Sequence, residues 1–192
     1  MTNLTGRQYE IMQSSIRLIS EGGIQHFTIK ALAESLGISE PAIYRHFSSK
    51  MDILLSMLTF TENEGKDFRE TVNSESPSLH QIEIMFSRQA KLFTENPALS
   101  AIIFSEEIFQ NDTRLSEKVL QLMNERQDII YATLVRIQQV KEIRTDIDPE
   151  YLTLMIMGTL RLIISKWRLN KFSFDLEQEI SRAWAALHNL LT

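Results

Sequence analysis

Proline placement constrains the fold of this 192-residue chain more than any other feature of its sequence. A proline breaks the interior of a helix but suits its first position, where the missing N–H has no helical partner to lose. Pro41 lies two residues after Ser39, within a first helical turn. The other prolines each follow a residue that favours the helix N-cap, in the pairs Ser76-Pro77, Asn96-Pro97 and Asp148-Pro149. All four prolines therefore mark predicted helix starts.

The rest of the pattern is helical. No alternation of apolar and polar residues is long enough for a β-strand, and no Asn-Gly or Asp-Gly hairpin signal occurs. We predict an all-α protein with about nine helices. Their predicted ranges are residues 7–21, 28–35, 39–45, 49–71, 77–94, 97–109, 113–140, 149–169 and 175–191. A serine-rich loop over residues 73–78 is predicted to connect two parts of the chain.

The composition excludes several kinds of site. The chain has no cysteine, which excludes disulfides, thiolate zinc sites, iron–sulfur clusters and cysteine nucleophiles. Residues 1–17 lack the basic-then-apolar pattern of a signal peptide. The most apolar stretch, residues 152–167, is interrupted by threonine, arginine and lysine, so we expect no membrane span and a cytoplasmic protein.

Charge is distributed unevenly along the chain, although its net value is only −5. Residues 1–50 carry five basic and four acidic side chains, a balance of +1, whereas the remainder carries −6. A nearly neutral N-terminal segment followed by an acidic remainder does not by itself indicate a nucleic-acid partner.

Residues 28–50 read TIKALAESLGISEPAIYRHFSSK and form two short amphipathic patterns with a tight turn between them. Gly37 in this turn allows positive φ without steric cost. Ser39 is placed to cap the second helix, whose apolar side is Ile43 with Phe47. This is a helix-turn-helix pattern. Similar short patterns also occur in enzymes, so the turn alone does not establish DNA binding.

The same segment resembles the tetracycline-repressor (TetR) family of transcriptional regulators. The run from Ile43 to Phe47, followed by Lys50, is its most specific part, and Pro41 departs from the usual family pattern. The matching residues are Thr28, Ile29, Ala33, Gly37, Ile38, Ser39, Ile43, Tyr44, His46, Phe47 and Lys50. The resemblance implies a three-helix DNA-binding domain over residues 1–48. It also implies a ligand-binding and dimerisation bundle over residues 49–192.

The second helix of the motif is expected to enter the major groove of an operator. If Ile43 and Phe47 face inward, Arg45 is placed to donate to guanine and Ala42 to touch a thymine methyl group. Other polar side chains are placed to hold phosphates, which position the protein without reading sequence. The predicted DNA-binding residues are Thr28, Lys30, Ser39, Glu40, Ala42, Tyr44, Arg45, His46 and Lys50.

The last two predicted helices point to a homodimer. Residues 149–169 are apolar almost all round, whereas a surface helix needs only one apolar face. A second copy of the chain is the simplest cover for the other face, and a two-fold dimer suits a two-fold operator. The alternative is a monomeric bundle with a thick core. The predicted interface residues are Leu160, Ile164, Trp167, Ile180, Trp184, Leu187 and Leu191.

The resemblance also implies a cavity for a small effector in the C-terminal bundle. Its apolar composition favours an apolar or amphipathic ligand, although methionine and phenylalanine at helical spacing are as readily explained as plain core. The candidate lining residues are Met57, Phe60, Phe86, Phe93, Phe104, Phe109, Met123, Tyr131 and Met155. Glu106-Glu107 is placed to attract a cation or simply to be solvated. His80 and His188 have no partner at metal-ligand spacing, so we predict neither a metal nor a cofactor.

These observations favour a DNA-binding regulator, a repressor that releases its operator when the effector binds. An enzyme is disfavoured because the chain has no Gly-rich phosphate loop, no H-E-x-x-H and no G-x-S-x-G motif. A helical scaffold protein is a third possibility. It would leave Tyr44, His46 and Lys50 unexplained, and salt-dependent DNA binding would distinguish it from a regulator.

Overall fold

The computed structural model describes residues 4–60, 62, 77–104 and 112–192 and is all-α over these ranges, which confirms the predicted fold class. A single turn of 3-10 helix, Ile24–His26, separates the first two helices. The helices are α1 Gly6–Gly22, α2 Ile29–Leu36, α3 Glu40–Tyr44, α4 over residues 50–60, α5 Leu79–Glu95, α6 Pro97–Ile103, α7 Thr113–Gln139, α8 Pro149–Leu169 and α9 Leu176–Leu191. The predicted helix over 97–109 is shorter in the structure, since α6 ends at Ile103 with Phe104 as its C-cap. The predicted end of the 49–71 helix and most of the 73–78 loop lie outside the described residues.

Three of the four prolines open helices as predicted. Pro97 and Pro149 are the first residues of α6 and α8, and Pro41 lies in the first turn of α3. Pro77 differs, since α5 begins two residues later at Leu79. The backbone N–H of Ser78 instead donates to Gln81 Oε1 at 3.3 Å, which places the helix start after the proline.

The first compact unit comprises Met1–Asn63 and Asn96–Val119. In it α1 packs against both α2 and α6, and α2 packs against α3. Its core contains fully buried side chains, among them Ile11, Phe27, Leu32, Ile43 and Leu99. Burial of this apolar surface holds the short helices together, because helices of five to eight residues are not stable in water alone.

Two ion pairs join α4 and Glu62, which lies just beyond it, to the start of α7 within the first unit. Lys118 Nζ lies 2.7 Å from Glu62 Oε2, and both side chains are largely buried. Arg114 Nη1 lies 2.8 Å from Asp52 Oδ1, while its Nη2 contacts Asp112. The first two turns of α7 are therefore fastened to the helix that follows the helix-turn-helix segment.

The second unit comprises Glu64–Glu95 and Leu120–Thr192. Here α9 packs against α5 and α8. The rings of Phe86 and Trp184 meet edge to face, with centroids 5.4 Å apart. Trp167 near the end of α8 donates from Nε1 to the carbonyl oxygen of Phe174 at 3.0 Å, a bond that spans the turn after this helix. The predicted functional boundary after residue 48 stays a prediction.

The helix α8 has two apolar faces, as its sequence indicates. One face is buried inside the protomer and includes Leu152, Ile156, Ile164 and Trp167. The other face carries apolar side chains that are at least half exposed: Tyr151, Leu154, Met155, Leu162 and Leu169. The protomer therefore presents an apolar stripe that its own core does not cover.

Candidate nucleic-acid interface

The turn between α2 and α3 is a Schellman motif. The N–H of Ile38 donates to Ala33 O at 3.0 Å, and the N–H of Gly37 donates to Glu34 O at 3.2 Å. Gly37 has φ of 65°, in the left-handed region where a side chain is strained. At the other end of α2, Thr28 Oγ1 accepts the N–H of Ala31 at 3.1 Å. Local capping thus defines both ends of α2 and the direction in which the chain enters α3.

Two buried side chains hold α3 and its C-terminal extension against the unit. Ile43 is fully buried and Phe47 is 7% exposed. Glu40, Tyr44 and Arg45 are consequently exposed, and Ala42 is part-exposed. Ile43 and Phe47 thus face inward, and the predicted base contacts Arg45 and Ala42 keep accessible surface.

The remaining predicted contacts lie at the ends of the helices. Lys30 on α2 and the helix-capping Thr28 are exposed, and His46 is part-exposed. Ser39, the N-cap of α3, makes no capping bond through its hydroxyl group. These side chains offer donors of the kind that hold phosphates.

Lys50 is part-exposed and lies against an aromatic ring. Its Nζ is 5.2 Å from the centroid of the buried Phe27 ring, a distance at which the cation is attracted to the ring face. Burial lowers the pKa of Lys50 below its usual value. Ser49 precedes it and accepts the N–H of Asp52 at 3.1 Å, as an N-cap of α4. Lys50 is thus held at the start of α4, where an ammonium group and a helix N-terminus both attract anions.

One hydrogen bond that the sequence does not predict connects α1 to the end of this motif. Gln8 Nε2 donates to the carbonyl oxygen of His46 at 3.0 Å. The Oε1 atom of the same side chain accepts the N–H of Thr5 at 2.9 Å, and Thr5 Oγ1 accepts the N–H of Gln8 at 3.3 Å. The Thr-x-x-Gln spacing is a capping-box signal in the sequence. Nothing in that spacing indicates the bond to His46.

The candidate effector residues fall into both units. Met57, Phe60 and Phe104 belong to the first unit, and the other described candidates belong to the second. Met57, Phe86 and Phe93 are buried, Phe60 and Phe104 are part-exposed, and Met123, Tyr131 and Met155 are exposed. Phe109 and the Glu106-Glu107 pair lie outside the described residues. Within the described ranges, no three His, Asp or Glu side chains are grouped to hold a metal ion.

Most predicted dimer residues lie in the core of a single protomer. Ile164, Trp167, Ile180, Trp184 and Leu191 are each at most 4% exposed, so they have almost no surface left to bury against a second copy. Leu160 and Leu187 remain part-exposed. The exposed apolar side chains on the same two helices are different ones: Tyr151, Leu154, Met155, Leu162, Leu169 and Leu190.

None of the helices in the described part of the chain combines the length and apolarity needed to cross a bilayer.

Two family models together match almost the whole chain. Residues 11–57 match the family described as bacterial regulatory proteins, tetR family. Residues 57–190 match the C-terminal region of YsiA-like proteins. The first match contains the entire helix-turn-helix segment, and the second contains α5 to α8 and most of α9.

Individual relatives agree with these matches. The fatty acid metabolism regulator protein of Bacillus subtilis (strain 168) is 24% identical over 170 residues, covering 87% of this chain and 86% of the relative. The structure of the B. subtilis transcriptional regulator FadR in complex with stearoyl-CoA superposes with a TM-score of 0.78 at 20% identity, covering 96% of this chain and 99% of that one. The structure of AibR in complex with isovaleryl coenzyme A and operator DNA has a TM-score of 0.77 at 15% identity, covering 97% and 100%. The structural likenesses show a shared fold.

The N-terminal family match coincides with the capped α2, the glycine turn and the exposed face of α3, and the C-terminal match extends over more than half of the chain. This protein therefore belongs to the TetR family of bacterial regulatory proteins.

Proposed function

We propose that this DNA-binding regulator is a dimeric repressor that leaves its operator when an amphipathic effector binds its C-terminal part. The observation that carries the proposal is the outward face of α3, on which Tyr44 and Arg45 are exposed while Ile43 and Phe47 anchor the helix. Such a helix fits the major groove of DNA and presents side chains to base edges. We place the boundary between the DNA-binding part and the effector part near residue 48.

Within this proposal Arg45 contacts a base, and the residues around it bind the phosphate backbone of the DNA. An arginine can donate two hydrogen bonds to a guanine, which is the commonest specific contact in DNA recognition. Thr28, Tyr44 and Lys50 flank the reading position and contact phosphates. The bond between Gln8 and His46 supports this arrangement, because it fixes the chain immediately after α3.

The exposed stripe of α8 is the proposed dimer surface. Tyr151, Met155 and Leu162 recur at helical spacing and are 62%, 55% and 62% exposed. Leu154 and Gly158 lie on the same face, and the exposed Arg161, seven residues after Leu154, lies at its edge. A self-complementary apolar face of this kind suits a second copy around a two-fold axis. The margins of this dimer surface are proposed to include Leu160, Leu187 and Leu190.

For the effector we propose an acyl-CoA or a related fatty acyl compound. The relatives described above include a FadR structure bound to stearoyl-CoA and an AibR structure bound to isovaleryl coenzyme A and operator DNA. The buried residues of α5 and α8 that could surround an acyl chain are mainly apolar. To release DNA, the effector must bind the non-DNA-binding arrangement more tightly than the DNA-binding one.

The proposal assigns a binding function and not catalysis. It is supported by the family, whose members named above are regulators. Because a regulator of this kind must reach its operator DNA, we also place the protein in the cytoplasm.

Operator binding tests the proposal directly. The purified protein is titrated into labelled DNA flanking its own gene, at several salt concentrations and with scrambled DNA as competitor. We expect tight, competitor-resistant binding whose affinity falls steeply with salt. Lauroyl-CoA, added below its micellar concentration, should weaken this binding, and free coenzyme A is the control. Binding that the competitor abolishes, or that lauroyl-CoA leaves unchanged, contradicts the corresponding half of the proposal.

A further inference from the structure

The helices α8 and α9 pack against each other and carry the exposed apolar side chains of the second unit. At one end of this pair a short turn over residues 170–175 joins them, and the bond from Trp167 to Phe174 spans that turn. Helices joined by a short turn run antiparallel, so the start of α8 lies near the last turn of α9. At that other end the chain supplies no short covalent connection between the two helices.

A loop residue, Arg144, bonds to α9 at this end of the pair. It belongs to the segment over residues 140–148, which leads from α7 into α8. The N–H of Arg144 donates to Leu191 O at 2.8 Å, and its Nη1 donates to Leu190 O at 3.3 Å. The last four carbonyl groups of a helix have no partner within the helix. Arg144 supplies partners for two of them, and its positive charge suits the C-terminal end of the helix dipole.

Arg144 is itself held by two further side chains. Its Nε and Nη2 donate to the two carboxylate oxygens of Asp146 at 2.8 and 2.7 Å, a bidentate pair that orients the guanidinium plane. Gln138, in the last turn of α7, donates from Nε2 to the carbonyl oxygens of Arg144 and Ile147 at 2.8 and 2.9 Å. These bonds fix the loop in the conformation that directs Arg144 towards α9.

The bonds of Arg144 reach the proposed dimer surface directly. Leu190, whose carbonyl oxygen accepts one of them, is 65% exposed, whereas the neighbouring Leu191 is 3% exposed. Leu191 therefore anchors the last turn of α9 in the core while Leu190 is presented to solvent. In the first two turns of α8, Tyr151 and Leu154 are 62% and 50% exposed. Arg144 thus connects the two helices at an end where both carry exposed apolar side chains.

We propose that Arg144 is a positioning residue of the dimer surface: it holds the last turn of α9 beside the start of α8, so that the partner subunit meets both helices in one arrangement. This role rests on the dimer proposed above and requires no contact between Arg144 and the partner. Without these bonds the last turn of α9 frays, because helix ends that lack partners open readily. Association must then also order Leu190, and this cost weakens the dimer.

Sedimentation equilibrium of the full-length protein tests the role, because it measures dissociation of a folded dimer into folded protomers. A residue that only stabilises the protomer contributes equally before and after association and leaves this constant unchanged. Arg144→Met removes the guanidinium fork but keeps the N–H that bonds to Leu191. Its dissociation constant should rise about 10-fold, in line with the loss of a hydrogen bond from a charged group. Arg136→Met, at an exposed position of α7, is the matched control and should leave the constant unchanged.

Leu190→Ala shows whether Arg144 acts through this side chain. In the wild-type background the substitution should weaken the dimer, and in the Arg144→Met background it should do so by a smaller factor, because coupled residues are not additive. Arg144→Lys keeps the charge but cannot bond to Asp146 and Leu190 with one planar fork, so its constant should be intermediate. In a protomer kept monomeric by Leu162→Glu, Arg144→Met should speed amide hydrogen exchange in the last turn of α9.

Other results overturn this role. Arg144 is not a positioning residue if Arg144→Met dimerises as tightly as the wild type, or if its effect and that of Leu190→Ala are independent. Unchanged amide exchange in the last turn of α9 has the same meaning. If Arg144→Met fails to fold, Arg144 is a structural residue of the protomer. A wild type that is monomeric at every concentration contradicts the proposed dimer, whereas a dimeric wild type with an unaffected Arg144→Met contradicts the role of Arg144 alone.

Discussion

Gln8 Nε2 donates a hydrogen bond to the carbonyl oxygen of His46 at 3.0 Å, between residues 38 positions apart in sequence. A single side-chain amide thereby connects the first turn of α1 to the segment that follows α3. The position of the exposed α3 face depends on a residue that is not part of the helix-turn-helix segment.

The variant Gln8→Glu isolates this connection. A glutamate keeps the acceptor that completes the capping box with Thr5 but removes the donor to His46. Leaving the part-buried carbonyl unpaired should cost about 1–3 kcal/mol, which lowers the unfolding temperature by several degrees. We expect weaker operator binding as well. Calorimetric unfolding and DNA titration measure the two effects, and Glu21→Gln at the other end of α1 is the control. Unchanged values for both would show that the bond is unimportant.

Arg45→Ala tests the reading position on α3. Removal of a bidentate contact to guanine should cost about 1–3 kcal/mol and relax the base preference at one position in each half-site. Competition between operators that differ at a single base pair gives this preference. Arg182→Ala, an exposed arginine of the second unit, should leave it unaffected. If Arg45→Ala discriminates between these operators as the wild type does, Arg45 does not read a base.

Lys50→Met separates the charge of Lys50 from its packing. Methionine preserves an apolar stem against Phe27 and removes the ammonium group. Affinity for operator and for scrambled DNA should fall by similar factors, and the slope of log affinity against log salt should decrease by about one for each protomer bound. Lys91→Met on α5, whose side chain is largely exposed, provides the comparison. A salt slope equal to that of the wild type would exclude a phosphate contact.

Leu162→Glu tests the exposed stripe of α8. Burying a carboxylate in an apolar interface should destabilise the dimer by at least about 2 kcal/mol, equivalent to about 30-fold in its dissociation constant. Sedimentation equilibrium measures this constant. Ser87→Glu adds the same charge at an exposed position of α5 and should have no effect. A variant that remains as dimeric as the wild type would place the interface elsewhere.

The helices were predictable because their ends are specified locally. Pro149 after Asp148 marks the first residue of α8, and the structure gives the predicted bounds of 149–169. The helix-turn-helix segment was predictable for the same reason, since Gly37 and the apolar pair Ile43 and Phe47 act within a few residues of one another. Where such signals specify the end of a helix, tertiary packing shifts the position of that end very little.

Contacts between residues distant in the chain have no comparable signal in the sequence. The periodicity of α8 shows two apolar faces but does not show which one faces the protomer's own core. Ile164, a predicted interface residue, lies in that core and is 1% exposed. Gln8 has the sequence signature of a cap, and its bond to His46 depends on tertiary packing.

The uncovered face of α8 also has a thermodynamic consequence. A protomer that leaves Leu162 and Leu169 62% and 84% exposed has not completed the burial of its apolar surface. If a second copy buries this surface, folding and dimerisation are thermodynamically coupled. The unfolding temperature then rises with protein concentration. The cellular amount of such a regulator would then affect how much of it is folded as well as how much of its operator is occupied.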